Sequence, residues 1–145
     1  MKEILISQKK TILLLLFFSI FQPLFDILLF IDYGPANTCV GNGDCLVIEQ
    51  TFFKSITYIF MPLGVLSLVM FYFKLNIHLR SSIISILFGF IALLKINLML
   101  FDDRIAAWST YTEQETLMNT IILSLPTLPI QMIILKILLT KCNKK

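Results

Sequence analysis

The stretch Ser81 to Phe101 reads SSIISILFGFIALLKINLMLF, an apolar run with one charge, Lys95, and no proline. A helix of about 20 residues covers the roughly 30 Å of a bilayer's hydrocarbon, and a run of this length with so few charges is the signature of a membrane span. Immediately before it lies Lys74-Leu-Asn-Ile-His-Leu-Arg80, and before that a second apolar block, Phe52 to Phe73. A connection this short makes the two blocks an antiparallel helical hairpin. Working outward, Thr11 to Ile31 and Leu117 to Thr140 are two further blocks of spanning length. The whole chain is 57% hydrophobic and 14% charged, with a mean hydropathy of +0.87, more apolar surface than a soluble core of this size could take in. The sequence therefore predicts an all-α polytopic membrane protein: a single transmembrane domain over 1–145, a four-helix bundle with helices at about 11–31, 52–73, 81–101 and 117–140.

Charge sets the orientation. Lys2, Lys9, Lys10, Lys74, Arg80, Lys136, Lys141, Lys144 and Lys145 all fall on one side, while only Lys54 and Arg104 fall on the other. Cationic residues are held back from translocation, so both termini and the inner loop 74–80 are expected in the cytoplasm and the outer loops 32–51 and 102–116 face outward. Asp32, Asp44, Glu49, Asp102, Asp103, Glu113 and Glu115 make that outer surface anionic, and Tyr33, Trp108 and Tyr111 sit where an outer aromatic belt belongs. The expected location is the inner (plasma) membrane, multi-pass. A cleaved signal peptide is disfavoured, because no Ala or Gly lies between Phe17 and Tyr33 to form a cleavage site. Nucleic acid is excluded as a partner, since the basic residues cluster at block ends without interleaved aromatics.

Local signals refine the helices. Thr112-x-x-Glu115 has the form of a capping box and starts the last helix near Glu113. Pro23, Pro62, Pro126 and Pro129 lie inside three of the four spans, each able to free a carbonyl and bend its helix. Ser85 and Gly89 form a small-xxx-small pair suited to a close helix contact.

Asp26 and Lys95 are the most costly residues, at about 2.5 to 3.5 kcal/mol each for an ionised group deep in a span. Both lie roughly 10 Å below the outer surface at 1.5 Å rise per residue. Their helices run in the same direction, so a contact between Asp26 and Lys95 is expected, with Gln22, Asn97 and Gln131, and Asn119, as further polar neighbours. The pair either fixes helix register, recognises another membrane helix, or forms a proton or substrate site.

Cys39-Val-Gly-Asn-Gly-Asp-Cys45 holds an Asn-Gly turn on the oxidising side, which predicts a disulfide between Cys39 and Cys45. It reads first as a structural staple, and alternatively as the redox pair of a quinone-linked thiol oxidoreductase. Against the latter, there is no Cys-x-x-Cys and no second outer pair, and Cys142 lies on the opposite side. His78 is the sole histidine and has no partner for a metal site. No phosphate loop, nucleophile elbow, catalytic carboxylate pair or metal-ligand cluster is present, so no enzyme, catalytic residue, metal or cofactor is expected.

Four spans with inside termini, the basic hairpin Lys74 to Arg80 and the lysine-rich end Lys141 to Lys145 resemble the immunity proteins that guard bacteria against pore-forming colicins of the colicin A type. The resemblance implies bacteriocin immunity: helix-to-helix binding, in the inner membrane, to the pore-forming helices of a toxin, with Asp26, Lys95, Asn97 and Gln131 as recognition groups. The Cys39 to Cys45 loop has no counterpart in that resemblance. Other classes consistent with the residues are a small oligomeric transporter or channel built around Asp26 and Lys95, and an accessory subunit of a membrane complex.

Overall fold

The computed structural model describes residues 2–29, 53–98 and 112–142 and, within its first helix, the side chains of 8–22 and 24. These residues form five helices and, among them, no strand: α1 (Lys2–Leu29), α2 (Phe53–Tyr72), α3 (Ile77–Asn97), α4 (Glu113–Ser124) and α5 (Leu128–Cys142). Each of α2 and α3 is long and apolar enough to cross a membrane, and α4 with α5, bent by 53° at a short break, makes a third such span if taken as one. The break falls at Pro126, whose ring cannot donate to the ladder, and Pro129 follows in the first turn of α5, where its missing N–H is tolerated. α1 begins at Lys2, well ahead of the apolar block, because its lysine-containing first turns continue the same helix.

Both α2 and α3 carry a π-helical turn. In α2 it spans Ile56–Phe60 and ends with Met61 donating to the carbonyl of Ile56. Pro62 follows directly, and the widened turn moves the upstream carbonyls away from the proline ring that would otherwise clash with them. In α3 the π turn spans Ala92–Asn97, and the added residue keeps Ala92, Ile96 and Asn97 inside while Leu94 and Lys95 face out.

The connection between α2 and α3 is shorter than the sequence suggested. Lys74 takes a positive φ of 52°, and the amides of Lys74 and Leu75 return to the carbonyls of Phe71 and Met70, the double bond pattern that closes a helix C-terminus. Asn76 then caps α3 by accepting from the His78 amide at 3.0 Å. His78 and Arg80, read from sequence as loop residues, therefore lie in the first turn of α3.

α3 is the centre of the bundle and packs against each of the other four helices. Its row Ser81, Ser85, Gly89 faces α5. Ser81 and Thr140 share a hydrogen bond of 2.9 Å, the Ser85 hydroxyl donates to the Met132 carbonyl, and Met132 lies over Gly89. The close contact expected at Ser85 and Gly89 is thus present, with α5 as its partner. On α1, Gln8, Thr11, Leu15, Phe18 and Gln22 are buried at alternating spacings of three and four, a single inward seam, and Phe18 meets Phe88 of α3 edge to face at 5.8 Å. Ser55 of α2 donates to the carbonyl of Ser19, joining α2 to that seam.

Among the described residues the interior holds more polar side chains than apolar ones, whereas the outer faces carry Leu13, Phe17, Val65, Phe90, Ile122, Ile133 and many other large apolar groups. Water would penalise such a surface, and hydrocarbon does not. This distribution and the lengths of the spans make the chain a membrane protein.

Candidate functional site

A chain of hydrogen bonds links three helices in the interior. Gln22 of α1 donates through Nε2 to Asn97 Oδ1 at 3.1 Å. Asn97 Nδ2 donates to Ser124 Oγ of α4 at 2.7 Å, and Ser124 donates in turn to the Thr120 carbonyl at 2.7 Å. One turn earlier, Thr120 donates to the Thr116 carbonyl at 2.8 Å. Gln22, Asn97 and Thr120 have no exposed surface. The π turn of α3 positions Asn97, and the hydroxyls reach it because Thr116, Thr120 and Ser124 recur at intervals of four, down one stripe of α4.

Of the residues singled out in the sequence, the structure joins Gln22 to Asn97 directly. Gln131 is also buried, at 6% exposure, yet neither atom of its carboxamide has a hydrogen-bond partner among the described residues. Its backbone amide bonds the carbonyl of Thr127, whose own hydroxyl is buried and likewise without a partner. Thr127 lies in the break between α4 and α5, and Gln131 in the first turn of α5. Asn119 is half-buried on α4. Lys95 is exposed on the outer face of α3. The Asp26 side chain lies outside the described residues, as do Cys39 and Cys45, so the expected ion pair and disulfide fall beyond them.

The serine and threonine members of the network were not anticipated. Their signal was present, a hydroxyl residue at every fourth position from Thr112 to Ser124, which lines one face of a helix. At the head of that stripe the predicted capping box is formed: the Thr112 amide donates to Glu115 Oε2 at 2.8 Å and the Glu115 amide returns to Thr112 Oγ1 at 3.3 Å. Glu115 stands exposed ahead of the apolar run that begins at Leu117, and the bonds its carboxylate accepts, from the Thr112 backbone foremost and from the Thr112 hydroxyl at 2.9 Å, hold it below the usual carboxylate range.

Comparison with family models, with curated proteins and with solved structures finds no match to this chain. The chemistry of the site therefore has to be judged on its groups alone. Amides and hydroxyls orient and recognise polar partners, but none of them titrates near neutral pH, so the network is no proton carrier. Among the described residues no three of His, Cys, Asp and Glu gather as metal ligands would. What the interior does is fix the register of α1, α3 and α4, since in hydrocarbon every polar group gains from a partner of its own kind.

Proposed function

We propose that this chain is an inner-membrane protein of four crossings, with both termini cytoplasmic, that recognises another membrane protein helix to helix, and that its partner is the pore-forming domain of a bacteriocin. One observation carries the recognition reading: Lys95 stands exposed on an otherwise apolar face of α3, beside Leu94 and within the span. An ammonium at that depth is costly until an anion meets it, which makes it a selective contact for a helix bringing a carboxylate. By sequence Asp26 lies at a similar depth from the outer end of its span, and the same recognition role is assigned to it. A shallow apolar furrow on the outward side of α2, lined by Tyr58, Met61, Pro62, Val65 and Val69, gives an arriving helix a second surface to lie against. The assignment to immunity draws on the resemblance of the predicted spans and the basic hairpin to those of colicin A-type immunity proteins.

The test is protection. Cells expressing the chain are expected to survive a colicin A-type toxin that kills the parent strain, and Lys95→Met is expected to abolish survival while the protein still accumulates in the membrane. Equal killing with and without expression, across a panel of such toxins, would overturn the reading. A second reading, a small oligomeric transporter, draws on the buried Gln131 carboxamide, whose unsatisfied donors and acceptor suit a polar solute. It predicts solute or ion flux in vesicles containing the purified chain alone.

A further inference from the structure

Arg80 is buried to 6% exposure in the first turn of α3, with its guanidinium carbon 5.7 Å from the centre of the Phe71 ring across the hairpin. The ring covers the guanidinium but offers it no hydrogen-bond acceptor, and among the described residues no group accepts a bond from the side chain. Its nitrogens are not among the fully buried polar atoms, so the guanidinium, mostly covered and without a counter-charge, still meets the surface where an anion could reach it. Every described charge nearby is of the same sign. The hydrogen bond between Ser81 and Thr140 sets the start of α3 beside the end of α5, where Lys141 follows Thr140 and Lys136 lies one turn earlier. The acids whose side chains are described, Glu113 and Glu115, begin α4 at the opposite end of the bundle.

The guanidinium needs an oxyanion. Its planar fork of N–H donors matches two oxygens of a phosphate better than any point-charge cation would. At the end of a membrane span, the phosphates at hand are those of the lipid headgroups, and basic residues there draw anionic lipids. We propose that Arg80 is a lipid-binding residue: it holds the phosphate of an anionic phospholipid at this end of the bundle, with Phe71 fixing the guanidinium and Lys141 contributing charge. The site requires the membrane placement proposed above and is independent of any toxin.

The full chain, purified in a neutral detergent, would be titrated with dioleoylphosphatidylglycerol, with dioleoylphosphatidylcholine and with inorganic phosphate, and bound lipid counted by native mass spectrometry. Wild type is expected to bind the phosphatidylglycerol about tenfold more tightly than the phosphatidylcholine, and inorganic phosphate is not expected to displace it at equal concentration. Arg80→Gln is expected to lose that preference, Arg80→Lys to recover only part of it, and Lys10→Gln, on an exposed part of α1, to keep it. Equal binding of the two lipids by wild type would overturn the proposal even if Arg80→Gln failed to fold. Displacement by inorganic phosphate would assign the site to a free anion instead.

Discussion

Replacing Gly89 by leucine would test how closely α3 and α5 approach. A Cβ added at Gly89 would stand 2.3 Å from Met132 Sδ, 2.9 Å from its Cε and 3.1 Å from its Cγ, against the roughly 3.5 to 4.0 Å at which such atoms rest. Alanine demands only that the flexible end of Met132 swing aside. An off-rotamer methionine costs about 0.5 to 1.5 kcal/mol, and the better helix propensity of alanine returns about 1 kcal/mol, so Gly89→Ala should be nearly neutral. Leucine adds three further carbons. The Met132 backbone cannot retreat easily while its carbonyl holds the Ser85 hydroxyl, so Gly89→Leu should cost about 1 to 3 kcal/mol by overpacking. Unfolding of the purified chain in mixed micelles, followed by helical circular dichroism as the denaturing detergent fraction rises, measures that loss. Met132→Ala alone should cost about 2 kcal/mol through the space it leaves, at the low end because Met132 is only half-buried. Combined, the two changes should cost at least 1 kcal/mol less than their sum, since the leucine occupies what the methionine vacates. Additivity within about 0.5 kcal/mol would refute the packing of Gly89 against Met132.

Other consequences are open to measurement. Asn97→Ala removes bonds to both Gln22 and Ser124, and at about 0.6 to 1.7 kcal/mol per interhelical bond in a membrane it should lower stability by roughly 1 to 3 kcal/mol in the same unfolding assay. Lys74→Gly relieves a left-handed residue and should raise stability by about 1 kcal/mol, or the closing turn of α2 is misjudged. Thr112→Ala should speed amide exchange in the first turn of α4 and cost about 1 kcal/mol. Because the Glu115 carboxyl is held below its unfolded value, the capping box is fully formed at neutral pH and weakens as pH falls through that lowered value; the protection of the first-turn amides, taken relative to their intrinsic exchange rate at each pH, should fall on acidification in wild type and respond less in Thr112→Ala. With Cys39 and Cys45 changed to serine, a membrane-impermeant maleimide should label Cys142 in inside-out vesicles and spare it in intact cells, and labelling of intact cells would reverse the proposed topology.

Much of the helical plan was legible because hydrophobic length and charge placement are one-dimensional properties. Ser81 to Phe101 needs only counting, whereas Gln22 and Asn97 read from sequence only as polar neighbours of an Asp26 to Lys95 contact, and their direct bond is a finding of the structure. The capping box was legible for a similar reason, since Thr112 and Glu115 are local partners. The π turns were not. A π turn is chosen by what surrounds it, by Pro62 in α2 and in α3 by a packing that keeps both Ala92 and Asn97 inside, and neither leaves a motif of its own. The serine and threonine stripe of α4 does not show in the sequence as a site, because each hydroxyl bonds its own helix four residues back and reads as a neutral helix residue until Asn97 stands beside it. Arg80 reads as a loop residue from sequence because only the cap at Asn76 marks the start of its helix at Ile77.

The hydrogen bonds from Gln22 to Asn97 to Ser124 join residues that leave the ribosome far apart in time. Synthesis runs from the N-terminus, so α1 reaches the membrane with its amide ahead of the helix that will receive it, and α3 in turn precedes the hydroxyl of α4. The bundle therefore has a built-in order of assembly in which the last arrival completes the interior. A nascent chain stalled before Ser124 would present an unfinished polar seam to the lipid, a feature by which membrane quality control could tell an incomplete copy from a finished one.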